Sequence, residues 1–176
     1  MACVCTPGWQ WWSDAPGFAE LAQRNVREMV RWHRNHPSAV MWEVSLNETY
    51  GKDAFHDECA RIAREEYPGG QLLVSGDSYG SPDARPYDVP YAGWSDWYLR
   101  PPAAGFEGRK RSFAREYGDY ECGGEQSTTR IARGAGEQRQ LLQAWNFLWT
   151  HERNGGFDWL LGDAIWAGVD HFRGCG

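Results

Sequence analysis

Apolar residues in this chain come in two patterns that take turns: short unbroken runs, and stripes at helical spacing. Residues 2–5 (ACVC) form a short run that stops at Thr6-Pro7-Gly8, a breaker cluster. Over 18–35, Phe18, Leu21, Ala22, Val26, Met29, Val30 and Trp32 approximate a 3.6-residue period and predict a helix. His36-Pro37 ends it, because the residue before a proline is driven out of the helical region. Residues 39–46 form an apolar strand. A second helix is predicted over 54–67, with Phe55, Cys59, Ile62 and Ala63 inward, closed by Pro68-Gly69-Gly70. Residues 71–75 (QLLVS) form a strand, and 87–91 (YDVPY) a short candidate strand inside a loop-rich stretch. A further strand is predicted over 111–117. A helix follows over 134–154, with Leu141, Leu142, Trp145, Leu148 and Trp149 on one face. The last strand region, 159–169, is expected to break at Gly162-Asp163.

Nearly all-apolar strands alternating with helices imply an α/β fold with a parallel sheet covered on both sides. A doubly wound sheet and a (β/α)8 barrel both satisfy that. No GxGxxG follows a strand and no Walker loop is present, so nucleotide sites have no support. Two carboxylates favour the barrel. Asn47-Glu48 stands at the tip of the 39–46 strand, and Glu116 near the tip of the 111–117 strand. The carboxyl ends of strands are where a barrel assembles its chemistry. Only about six strands are found, where a full barrel takes roughly 200 residues or more. The expectation is a partial (β/α)8 TIM barrel, roughly strands 3 to 8. Residues 1–176 would then be the C-terminal part of one catalytic domain, with an open sheet edge.

Composition changes this picture at one point. Eleven Trp residues are more than is ordinary; aromatic faces cover sugar rings, so carbohydrate handling is one explanation and a Trp-rich core the other. A net charge of −6 argues against a nucleic-acid partner. No apolar run reaches the ~20 residues of a membrane span, and MACVCTPG lacks a signal-peptide pattern. Five Cys (Cys3, Cys5, Cys59, Cys122, Cys175) show no metal-type spacing, so neither a metal nor any other cofactor is expected. The compartment stays unread.

The segment NHPSAVMWEVSLNE resembles the acid/base signature of glycoside hydrolase family 2, the family of β-galactosidases, β-glucuronidases and β-mannosidases. SFAREYGDYE is similar to that family's nucleophile segment, GDAIWAGVDHFRG to its eighth-strand segment, and TPGWQWW to the end of its third strand. The resemblance implies retaining hydrolysis of a terminal β-glycoside, most of all a β-galactoside. Glu48 would be the acid/base and Glu116 the nucleophile. Asn47 would hold the sugar 2-hydroxyl, and Tyr91 or Tyr117 would orient Glu116. Trp166 and Trp12 would floor the pocket, and Asp77 would bind a hydroxyl. It also implies β-sandwich domains upstream. Glu43 departs from the pattern, standing after Trp42 where a small residue is usual. An incomplete, non-catalytic fragment or a carbohydrate-binding remnant is the alternative.

Several residues have plainer readings. Asp119, Glu121 and the basic run Arg109-Lys110-Arg111 suit a solvated face. His36 suits a turn-fixing role, and His151 and His171 none in catalysis. Asp77 and Asp170 suit turns as well as they suit sugars.

Overall fold

The computed structural model describes residues 2–6, 15–45, 53–75, 86–89, 111–117 and 136–165. These hold β1 (Ala2–Cys5), α1 (Phe18–His33), β2 (Ala39–Ser45), α2 (Asp53–Glu66), β3 (Leu72–Ser75), β4 (Ser112–Tyr117), α3 (Gly136–Gly155) and β5 (Leu160–Ile165). The chain divides into two compact units, Met1–Tyr91 with Gly108–Arg111, and Ala92–Glu107 with Ser112–Gly176.

The first unit is two successive βαβ steps. β1, β2 and β3 lie side by side in that order, all parallel. Trp42 pairs with Val4 on one side and Leu73 on the other, and Glu43 pairs with Cys5 and Val74. Side chains alternate across a strand. Trp42 and Val44 therefore join Val26 and Val30 of α1 and Phe55, Cys59, Ile62 and Ala63 of α2 in one buried cluster. The other alternation set, Met41 and Glu43, is equally buried but lies outside that cluster. This explains why β2 reads as an unbroken apolar run.

The α2 face follows the periodicity. The α1 face is narrower than the pattern suggests: Ala22, Val26, Met29 and Val30 are buried, while Leu21 is exposed and Trp32 is 70% exposed. Both sit at the margins of the stripe, beyond the contact with β2 and α2. At the far ends of the two helices, Glu66 is gripped by Arg27 and Arg31, Arg31 Nε donating to Glu66 Oε2 at 2.7 Å. Arg34 donates to the Glu66 carbonyl at 2.7 Å. Arg31 first, then Arg27, hold the Glu66 carboxyl below the ordinary carboxylate range.

The expected 87–91 strand reduces to one parallel bridge, Val89 to Val74, with 90 and 91 outside the described residues. Its polar neighbour explains the shortness: Asp88 turns its carboxylate back to accept the Leu73 N–H at 2.9 Å.

The second unit pairs β4 with β5, again parallel, with Ser112 against Leu160 and Tyr117 against Ile165. β5 continues across Gly162-Asp163, but its register with β4 slips there, between Leu160 and Asp163, so the expected interruption takes the form of an irregularity within one strand. A Cβ on Gly162 would lie 3.2 Å from the Phe113 ring, so the glycine admits a close neighbour. Asp163 is drawn onto α3: Asn154 Nδ2 donates to it at 2.9 Å, and His151 Nδ1 lies 3.0 Å away. Accordingly α3 buries Thr150 and Asn154, with Phe147 half-buried. Of its expected inward stripe, Leu141, Trp145, Leu148 and Trp149 are exposed instead. Residues 147, 150, 151 and 154 lie on one side of a 3.6-residue helix, and that is the side the Asp163 contacts select.

Candidate active site

β2 is the best-anchored strand of the first unit, having a partner on each side. Its register with β3 slips between Glu43 and Ser45, so one extra residue is inserted close to the strand's carboxyl end. Such a bulge re-aims the chain beyond it. Just below this end, Ser45 Oγ and Tyr87 Oη are 2.8 Å apart, and Tyr87 Oη and His56 Nδ1 2.6 Å. A buried hydroxyl thus links β2, α2 and the Tyr87 segment. Asn47 and Glu48 are the second and third residues beyond Ser45, and both lie outside the described residues. So do Asp77, two residues beyond β3, and Trp12 and Tyr91.

In the second unit, Glu116 and Tyr117 are the last two residues of β4, where a strand-end nucleophile is expected. Tyr117 is in register with Ile165, the last residue of β5, so the two strands end together. Trp166 comes directly after Ile165 in sequence and lies outside the described residues. Glu116, Tyr117 and the approach to Trp166 are therefore carried to one end of one strand pair.

The sequence reading missed a side-chain cluster on the first unit. Cys3, Cys5 and Glu43 bring their ligand atoms within 4.8 Å of one another. Cys5 Sγ donates to Glu43 Oε2 at 2.9 Å, and Glu43 is 1% exposed. Burying a carboxylate is costly unless it is hydrogen-bonded, and the thiol answers part of that need. The Cys5 thiol is in turn pushed well above its ordinary range, first by its hydrogen bond with Cys3, then by burial of the sulfur and by Glu43. Cys59, in the core, is pushed up to about 12 by burial. The cluster escaped notice because Glu43 is 38 residues from Cys5 and meets it only through strand pairing. The two Cys at strand spacing were the available signal.

Comparison with known proteins shows what part of this scaffold is similar to. The model for "Glycosyl hydrolases family 2, TIM barrel domain" matches residues 1–69, which span β1 through α2 and include the Asn47-Glu48 segment. A β-galactosidase of Thermoanaerobacterium thermosulfurigenes is 35% identical over 77 residues, 42% of this chain and 11% of that protein. A β-galactosidase of Thermoanaerobacter pseudethanolicus is 37% identical over 59 residues, 34% of this chain and 8% of that protein. The chain thus matches about a tenth of the length of these relatives. Among solved structures, Bacteroides uniformis β-glucuronidase aligns with 94% of this chain and 23% of its own, at a TM-score of 0.62 and 20% identity. That likeness extends the shared fold past the matched segment and into the second unit. Over residues 1–69 this chain is similar to the TIM-barrel domain of glycosyl hydrolase family 2.

Proposed function

We propose that this chain is the later part of the catalytic barrel of a retaining β-glycosidase, acting on terminal β-galactosides. The observation that carries the reading is the family match over residues 1–69, which contains NHPSAVMWEVSLNE at the end of the best-anchored strand. In this reading β1, β2 and β3 are barrel strands 3, 4 and 5, Val89 marks strand 6, and β4 and β5 are strands 7 and 8. Residues 1–176 form one domain, and β-sandwich domains precede it in the whole protein.

Glu48 protonates the departing glycosidic oxygen and later takes the proton of the incoming water. That role needs a carboxyl protonated at working pH, and burial or a second carboxylate nearby is what raises a carboxyl pKa to that range. Glu116 stays ionised and attacks the anomeric carbon. Retaining hydrolysis in general requires two carboxyl groups roughly 5–5.5 Å apart. Asn47 donates to the sugar 2-hydroxyl, a contact that tightens in the oxocarbenium-like transition state. Tyr91 or Tyr117 orients Glu116, Trp166 and Trp12 cover the apolar sugar face, and Asp77 holds a hydroxyl. The β-galactosidase names of relatives at 35% and 37% identity support the galactoside. The β-glucuronidase likeness, at 20% identity, speaks to fold and not to the sugar.

The test is a panel of aryl β-galactosides, β-glucuronides, β-glucosides and β-mannosides given to the full-length protein, with the product anomer read by NMR. Cleavage of the galactoside with the β-anomer formed first is expected. Glu116→Ala loses about a thousandfold or more in turnover, as removal of a covalent nucleophile does. Activity within about tenfold of wild type overturns the nucleophile assignment. No cleavage of any glycoside by the full-length protein favours the non-catalytic reading.

A further inference from the structure

Two thiols and a carboxylate from adjacent strands meet on one face of the first unit, and the proposed hydrolysis uses none of them. Cys3 and Cys5 are two residues apart on β1, so strand alternation puts both on the same side. Glu43 stands opposite Cys5 in the β1–β2 register. We propose that Cys3, Cys5 and Glu43 form a binding site for one thiophilic divalent cation, Zn2+ foremost, with the fourth position open to water or a small exogenous ligand.

Geometry supports the site. A tetrahedral zinc centre has Zn–S near 2.3 Å and Zn–O near 2.1 Å, which sets S···S at about 3.8 Å and S···O at about 3.6 Å. The three ligand atoms already lie within 4.8 Å of one another. Small side-chain rotations close that triangle around an ion, and the paired β1–β2 backbones stay as they are. Ligand chemistry selects the ion: two sulfurs favour Zn2+, Co2+ or Cd2+, and disfavour Mg2+ or Ca2+, which require oxygen cages.

Electrostatics point the same way. Three groups that can each carry negative charge crowd together beside a residue 1% exposed. In the structure the Cys5 thiol donates to Glu43 Oε2 at 2.9 Å. On binding, each thiol loses its proton to solvent as its sulfur–metal bond forms, and two thiolates and one carboxylate then surround a +2 charge. The same cation offsets the cost of a carboxylate placed deep between strands.

The experiment uses the full chain, freshly reduced with a phosphine and freed of metal, titrated with Co2+ and then with Zn2+. The expected result is a thiolate-to-cobalt charge-transfer absorption that saturates at one ion per chain and is abolished by Zn2+. Cys122→Ser with Cys175→Ser keeps this absorption, because neither residue is one of the three proposed ligands. Cys3→Ser with Cys5→Ser loses it, with circular dichroism confirming that the variant is folded. Glu43→Gln weakens Co2+ binding by about 10–100-fold or more, at least as much as loss of an outer-shell partner does. Should the double variant fail to fold, Cys5→Ser alone, at the exposed position, carries the same expectation of a lost or weakened absorption. No charge-transfer absorption in the folded wild type, or an absorption undiminished in the folded Cys3/Cys5 variants, overturns the site.

Discussion

Val26 and Val30 of α1 are sealed against β2 and α2, while Trp145 and Leu148 of α3 face solvent, although all four belong to apolar stripes. The first unit gives its two helices a three-stranded sheet and each other. The second unit gives α3 two strands, and among the described side chains its hydrogen bonds there run from Asn154 and His151 to Asp163. An amphipathic stripe forecasts a helix, but which part of the helix is buried depends on the partner that meets it. Where the sheet side offers a carboxylate, hydrogen-bonding side chains win the inner position over larger apolar ones.

That contrast can be broken by substitution. Trp42 is 1% exposed at the centre of the first unit's cluster, so Trp42→Ala should cost about 3–5 kcal/mol in chemical denaturation. A loss under about 1 kcal/mol would show that this core is not the stabilising region. A smaller effect is expected at Glu66. Its folded pKa lies below the ordinary 4.5, so its contribution is present above that pH and fades as pH falls through the lower folded value. Melts of Glu66→Gln tracked from neutral to acid pH should therefore show a shallower acid-side decline than wild type, with its largest deficit at neutral pH. Parallel curves would remove Glu66 from the account. The smallest effect belongs to α3. Trp145 is 58% exposed, so Trp145→Gln should change stability by no more than about 0.5 kcal/mol. A loss as large as that of Trp42→Ala would mean that the exposed stripe is covered in solution.

The alternation of elements was legible because Pro and Gly stop each helix before an apolar run begins. His36-Pro37 ahead of β2 and Pro68-Gly69-Gly70 ahead of β3 both mark real boundaries. Less visible were features made by distant residues. The close approach of the Phe113 ring to Gly162, where the β4–β5 register slips, is one of them. The Ser45–Tyr87–His56 link spans three segments. Glu43 looked like a departure in packing alone; only strand register reveals the two thiols on its face. At the candidate site, the end of β4 carries Glu116 where the motif put it, and the motif at the end of β2 falls inside the family match. The roles of Glu48, Asn47, Asp77, Tyr91, Tyr117, Trp12 and Trp166 are proposals resting on motif and strand-end position.

Covalent trapping tests the catalytic account most directly. The full-length protein, treated with a 2-deoxy-2-fluoro β-galactosyl donor bearing a good leaving group, should gain the mass of one fluorosugar. Peptide mapping should find that mass on Glu116. A label on Asp119 or Glu121, or unlabelled protein that still turns over aryl β-galactosides, would contradict the assignment of Glu116 as the attacking carboxylate.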